Sequence, residues 1–122
     1  MSKPKVYDLG FSHVEIYTNY LVNTIAEGFL VLPEHNDLLE AFAREHFQKK
    51  FFVYISNRIN SYSVDPTVYL KTSSISNLKG MAVVSINPVQ QKLTELENTF
   101  FKKELRYFKT IKEALAWKDQ IL

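Results

Sequence analysis

The chain has 122 residues, of which 46% are apolar and 23% charged, and its 15 basic and 13 acidic side chains leave a net charge of +2. That is enough chain for one buried core and too little for two substantial ones, so residues 1–122 are expected to form a single domain. The composition argues against disorder, and the small, dispersed charge argues against a nucleic-acid partner.

One local cluster, Lys102, Lys103, Arg106, Lys109 and Lys112, is interrupted by Glu104 and Glu113 and reads as a solvated surface. With no cysteine, disulfides, thiol catalysis and thiolate metal sites are excluded. The opening MSKPKVYDLG lacks the apolar segment of a signal peptide, and no apolar run approaches a membrane span. A soluble, cytoplasmic protein without an integral membrane segment is expected.

Val6 to Phe11 reads as a short strand. Between His13 and Tyr20, Val14, Ile16 and Thr18 alternate with Glu15, Tyr17 and Asn19, the period of a strand with one wetter face, and Tyr20 to Ala26 continues in β-favouring residues. The N-terminal third therefore predicts an antiparallel β unit. Pro33 suits a first helical turn, Glu34 and Asp37 oppose the dipole, and Leu38, Leu39, Phe42 and Phe47 form an apolar stripe, which predicts a helix from Pro33 to Gln48. FFVYI, Phe51 to Ile55, is a continuous apolar run of the kind found in strands covered on both faces.

Asp65-Pro66 is a cap followed by a first-turn proline and predicts a helix of about ten residues with Val68, Tyr69 and Ile75 inward. GMAVVSI, Gly80 to Ile86, is a second doubly buried strand. Asn87-Pro88 opens a third helix, whose Val89, Leu93, Leu96 and Phe100 make the clearest amphipathic pattern in the chain. LRYF, Leu105 to Phe108, is a last strand. Thr110 and Glu113 then form a capping box for a helix with Ile111, Ala114, Leu115 and Leu122 on its buried side. Strands first, then alternating helices and strands, predict an α/β fold: a mixed open sheet with N-terminal antiparallel strands followed by parallel ones.

In such a sheet ligands bind beyond the carboxyl ends of the strands. Three loops qualify: Glu27 to Pro33, Asn57 to Asp65, and Asn87-Pro88. Together they would gather Asn57, Arg58, Ser61, Tyr62, Ser63, His35, Asn36 and Asn87 on one rim. Arg58 offers a guanidinium fork for a phosphate or carboxylate, although pairing with Asp65 or with backbone carbonyls is the simpler role, because no glycine opens this loop to a ligand. Ser61 and Ser63 lie beside a predicted helix start, where a phosphate would be stabilised, while Ser63 also reads as a secondary cap.

His13, His35 and His46 lack a metal-ligand spacing, so no metal is expected. Neither a G-x-S-x-G elbow nor a phosphate-cradling G-x-x-x-x-G-K-S/T loop occurs, and Glu95 and Glu97 fall on different sides of the third helix. No enzyme and no cofactor are expected. Trp117 and the many phenylalanines and tyrosines read as core, as do Phe29, Leu30 and Val31, for which a homodimer contact is the alternative.

YDLGF, the helix after Glu27-Gly28, YISNRINSYSVDP, GMAVVSI with Asn87-Pro88, ELENTFFKKELRYF and EALAW together resemble the SpoIIAA-like proteins of the STAS-like, STAS/SEC14-related group over nearly the whole chain. The resemblance implies a mixed sheet flanked by helices. In anti-sigma-factor antagonists of that group, a partner kinase phosphorylates a serine at a helix start after a central strand, and this implies Ser61 or Ser63 here. The Asp-Ser-Ser/Thr-Gly pattern of those proteins is replaced by Ser61-Tyr62-Ser63-Val64-Asp65-Pro66. The expected function is a non-enzymatic regulatory or protein-interaction module, switched by serine phosphorylation and partnered by a regulatory protein or kinase. Its candidate contacts are Asn57, Arg58, Tyr62 and Asn87. The alternative is a carrier of a small anionic ligand or lipid held between the rim and the first two helices.

Overall fold

The computed structural model describes residues 3–122. Its strands are β1 (Lys5–Asp8), β2 (Ser12–Ile16), β3 (Tyr20–Ile25), β4 (Leu30–Val31), β5 (Phe52–Asn57), β6 (Ser63–Val64), β7 (Leu78–Val84) and β8 (Glu104–Phe108). Six of them form one sheet in the order β1-β2-β3-β5-β7-β8. The first three run antiparallel, and β3, β5, β7 and β8 run parallel. This is the α/β mixed sheet that the sequence predicts.

The alternating segment from His13 to Tyr20 is not one strand. It breaks after Ile16 into a hairpin closed by the Tyr17 amide on the Tyr20 carbonyl at 2.9 Å, and β3 begins at Tyr20. The first helix covers its predicted span in three pieces: a 3₁₀ turn at Pro33–His35, α1 (Asn36–Phe42) and a π turn at Ala43–Phe47. It stops at Gln48, whose φ of 49° lies outside helical space. α2 (Val68–Ser73) is shorter than predicted, and the Asp65 carboxylate accepts from the amide and hydroxyl of Thr67, two residues on. α3 (Val89–Asn98) and α4 (Ile111–Ile121) complete the fold. In the predicted capping box the Thr110 hydroxyl accepts from the Glu113 amide, but the Glu113 carboxylate bonds that hydroxyl rather than the cap's backbone.

The two central strands are covered on both faces, and the two-residue period sorts their side chains. Phe52, Tyr54, Met81 and Val83 join the larger core beneath α1 and α2, where Phe47 stacks on Phe52 at 4.3 Å. Val53, Ile55, Ala82 and Val84 join the smaller core, which Ala114 and Trp117 of α4 close. Leu122, expected to be buried, is exposed; Trp117 and the stem of Lys118 take that side of α4 instead.

α3 reverses the expectation drawn from its pattern. Val89, Leu93 and Leu96 point to solvent, whereas Thr94 and Glu97 are buried. The apolar stripe faces solvent along α3 and meets the core only at Phe100, half-buried just past the end of the helix.

α4 lies so close to the sheet that Gly80 of β7 has no room for a side chain: a Cβ there would sit 2.9 Å from Trp117 Cη2 and 3.2 Å from the Glu104 carbonyl oxygen. Gly80→Ala is therefore expected to destabilise the protein by about 1–3 kcal/mol through overpacking. A lowered urea midpoint with an unchanged slope checks this; an unchanged midpoint would show that α4 yields.

Candidate functional site

The loops after β3, β5 and β7 do meet on one rim. β4 and β6 pair in parallel, and the Gly28 amide donates to the Ser61 carbonyl at 2.7 Å, Ser63 to Phe29 at 2.9 Å, and Asp65 to Val31 at 2.9 Å. Gly28 adopts φ +76°, a conformation that side chains disfavour, which lets the loop turn into this pairing. The Glu27 carboxylate accepts the Ser61 amide at 2.8 Å, and Asn60 Nδ2 reaches the Ile25 carbonyl at 2.9 Å. Asn87 uses its own side chain to cap α3, its Oδ1 accepting the Val89 amide at 3.0 Å. Asn57 is half-buried and donates weakly to Thr24 Oγ1 at 3.4 Å.

Arg58 lies at the end of β5 yet is only 7% exposed, because α3 covers it. Its Nη1 and Nη2 hold the two Glu97 oxygens at 2.9 and 3.0 Å, Nη1 also reaches Gln90 Oε1 at 3.0 Å, Nη2 reaches Tyr69 Oη at 3.0 Å, and Nε donates to Ser56 Oγ at 3.2 Å. All five of its donors are used. The Tyr69 hydroxyl bonds the same carboxylate. Burial by itself pushes the guanidinium down; the Tyr69 and Tyr62 phenols and the Glu97 carboxylate outweigh it, and its pKa is raised. Burial is also the main cause that holds the Tyr69 phenol well above its ordinary value. The fork is therefore occupied by Glu97, and neither Asp65 nor an external anion takes it. Glu97, Tyr69 and Gln90 carry no local sequence signal for this role, since Glu97 stands thirty-nine residues from its partner.

Tyr62 turns inward as well, its hydroxyl 3.2 Å from Ser56 Oγ and its ring 5.8 Å from the Arg58 guanidinium carbon. It lines a cavity of ≈ 70 Å³ between the sheet and α1–α2, beside Asn23, Asn36, Tyr54 and Val68. His35 also borders this cavity, and its Nδ1 accepts the Leu32 amide at 2.8 Å, which leaves the ring proton on Nε2. A separate cleft of ≈ 350 Å³ lies across the rim between Asn57, Ser61, Ser85, Asn87 and Lys109. Ile59 and Ile86 border that cleft with 73% and 88% of their surface exposed.

Ser61 and Ser63 are both exposed, but neither stands at a helix start: Ser63 is in β6, and α2 begins only at Val68. The dipole and capping roles expected of them are thus not those of this loop. Among the described residues, no group of three or more histidine, aspartate or glutamate side chains could hold a metal ion, and no helix is long and apolar enough to cross a membrane.

No protein-family model matches the chain, and no curated protein matches it. Among solved structures, an uncharacterized protein of the DUF3478 family with a SpoIIAA-like fold, from Shewanella loihica PV-4, superposes with a TM-score of 0.61 at 18% identity, covering 97% of each chain. The fold of this protein is SpoIIAA-like.

A buried ion pair loses most when one partner is removed, because the other charge is stranded. Glu97→Leu is expected to cost about 3–5 kcal/mol, and the Arg58→Met/Glu97→Leu double variant clearly less than Glu97→Leu alone. Urea denaturation of both variants and of Arg58→Met alone checks this; a double variant that loses the sum of the two single losses would mean that the pair is not coupled.

Proposed function

We propose that this chain is a single-domain, non-enzymatic interaction module with a regulatory role, and that it docks a helix of a partner protein on the outer face of α3. The observation that carries this reading is the apolar stripe itself. Ile86 stands in the turn before α3, and Val89, Leu93 and Leu96 follow on the helix at spacings of four and three, the spacing with which one helix packs along another. They stand 88%, 56%, 41% and 57% exposed. A contiguous apolar strip of this kind marks an interaction surface far more often than scattered single residues do. Ile59 continues the strip across the rim cleft, and the polar contacts Asn57 and Asn87 border it. Arg58 supports this surface from beneath through Gln90 and Glu97, with the Tyr62 ring against its guanidinium.

Ser61 and Ser63 suit a phosphoswitch by their exposure. A phosphate on Ser61 would meet the Glu27 carboxylate, which already accepts that residue's amide, so a switch there would work by repulsion and would loosen the β4–β6 pairing. A carrier role is the second reading, and the cavity beneath α1 and α2 favours it.

Ile86→Asp/Leu93→Asp should abolish capture of the partner from native cells and its cross-linking to α3, with the melting temperature held within about 2 °C, as expected of exposed sites. Partner capture that survives in the double variant would place the interface elsewhere, and sedimentation of the purified protein separates a second copy from a different partner.

A further inference from the structure

Two of the three buried side-chain atoms left without a hydrogen-bond partner among the described residues, Asn23 Oδ1 and Asn36 Nδ2, belong to residues that line the same cavity. The third, Trp117 Nε1, lies in the opposite core. Each asparagine is held by its other amide atom: Asn23 Nδ2 donates to Tyr54 Oη at 2.9 Å, and Asn36 Oδ1 accepts from Thr72 Oγ1 at 2.6 Å. Turning either amide over exchanges the orphaned atom without removing it. A buried polar atom without a partner carries the cost of a lost hydrogen bond, so these two atoms call for a group that answers both.

The charge of the site narrows that group. Among the described residues, no aspartate, glutamate, lysine or arginine lines the cavity, and the imidazole that does, His35, already uses Nδ1 to accept the Leu32 amide. Arg58, the nearest cation on this side of the sheet, has every donor occupied. Burial pushes the Tyr54 phenol up, as a weakly polar interior does to any group that must become negative. A carboxylate or phosphate would enter with no lysine or arginine to meet it, at the cost of its hydration. The size narrows it again: ≈ 70 Å³ compares with roughly 10–15 Å³ for one water measured the same way, which leaves room for about six non-hydrogen atoms.

We propose that this cavity is a binding site for a small uncharged molecule with a branched apolar body and a primary amide head. Asn36 Nδ2 donates to the ligand's carbonyl, Asn23 Oδ1 accepts from its N–H, and Val68, Leu39 and Met81 pack on its body. The site is independent of the helix-docking face of α3, and it departs from the small anionic ligand or lipid that the sequence offers as the carrier alternative.

The test uses isobutyramide and isobutyrate, which match in shape and differ in charge, titrated at neutral pH into the full chain with methyl and amide NMR as the readout. Isobutyramide is expected to shift the Val68, Leu39 and Met81 methyl signals at millimolar concentration, with isobutyrate at least about tenfold weaker. Asn23→Leu and Asn36→Leu are each expected to weaken isobutyramide about tenfold while the amide spectrum keeps its folded dispersion. If Asn36→Leu unfolds through loss of the Thr72 bond, Asn23→Leu decides alone. Equal or tighter binding of isobutyrate, cavity methyls that do not respond to isobutyramide, or undiminished affinity in the folded Asn23→Leu variant would each overturn the proposal.

Discussion

The burial of Arg58 sets the terms for much of the rest. A guanidinium at the end of a doubly covered strand must either reach water or be met by a carboxylate, and α3 meets it with Glu97. That requirement fixes the rotation of α3 about its own axis. Glu97 and Thr94 must face the sheet, and on a helix of this length Val89, Leu93 and Leu96 then fall on the outside. The exposed apolar face is thus a consequence of the buried charge pair, which decides how α3 is turned.

The same strand ends show why one sheet supports two distinct sites. Side chains of β5 alternate between faces: Ser56 and Tyr54 point into the larger core and its cavity, Val53 and Ile55 into the core closed by α4. Past Asn57 the chain leaves the sheet, and Ile59 is free to point outward at the rim. A polar layer made of Ser56, Tyr62, Tyr69 and Arg58 separates cavity from cleft.

Much of the architecture was legible because it rests on short-range physics. The doubly buried strands announced themselves as apolar runs, Pro33 and Pro88 marked the approaches to helices, and the antiparallel and parallel parts of the sheet followed from element order. The rotation of α3 was not legible, because amphipathic spacing says which residues share a face and not whether that face meets the protein or its surroundings. Glu97 as the partner of Arg58 was not legible either, since nothing local links residues so far apart. The cavity depends on Asn23 from β3 and Asn36 from α1, which pattern reading treats as ordinary strand and helix-start residues. β4 and β6, two residues each, are too short to show any period.

β4 and β6 stand outside the six-stranded sheet, and among the described residues each has only the other as a strand neighbour. Val31 and Val64, which they carry, lie directly on the cavity. A two-residue ladder held by a few backbone bonds can part while the central sheet stays intact, so this corner forms a cooperative unit of its own with a lower free energy of opening than the global one. The amides of Gly28, Ser63 and Asp65 would then exchange with solvent far ahead of those in β5 and β7. Opening of that small ladder would move Val31 and Val64, and with them one wall of the cavity, without unfolding the central sheet.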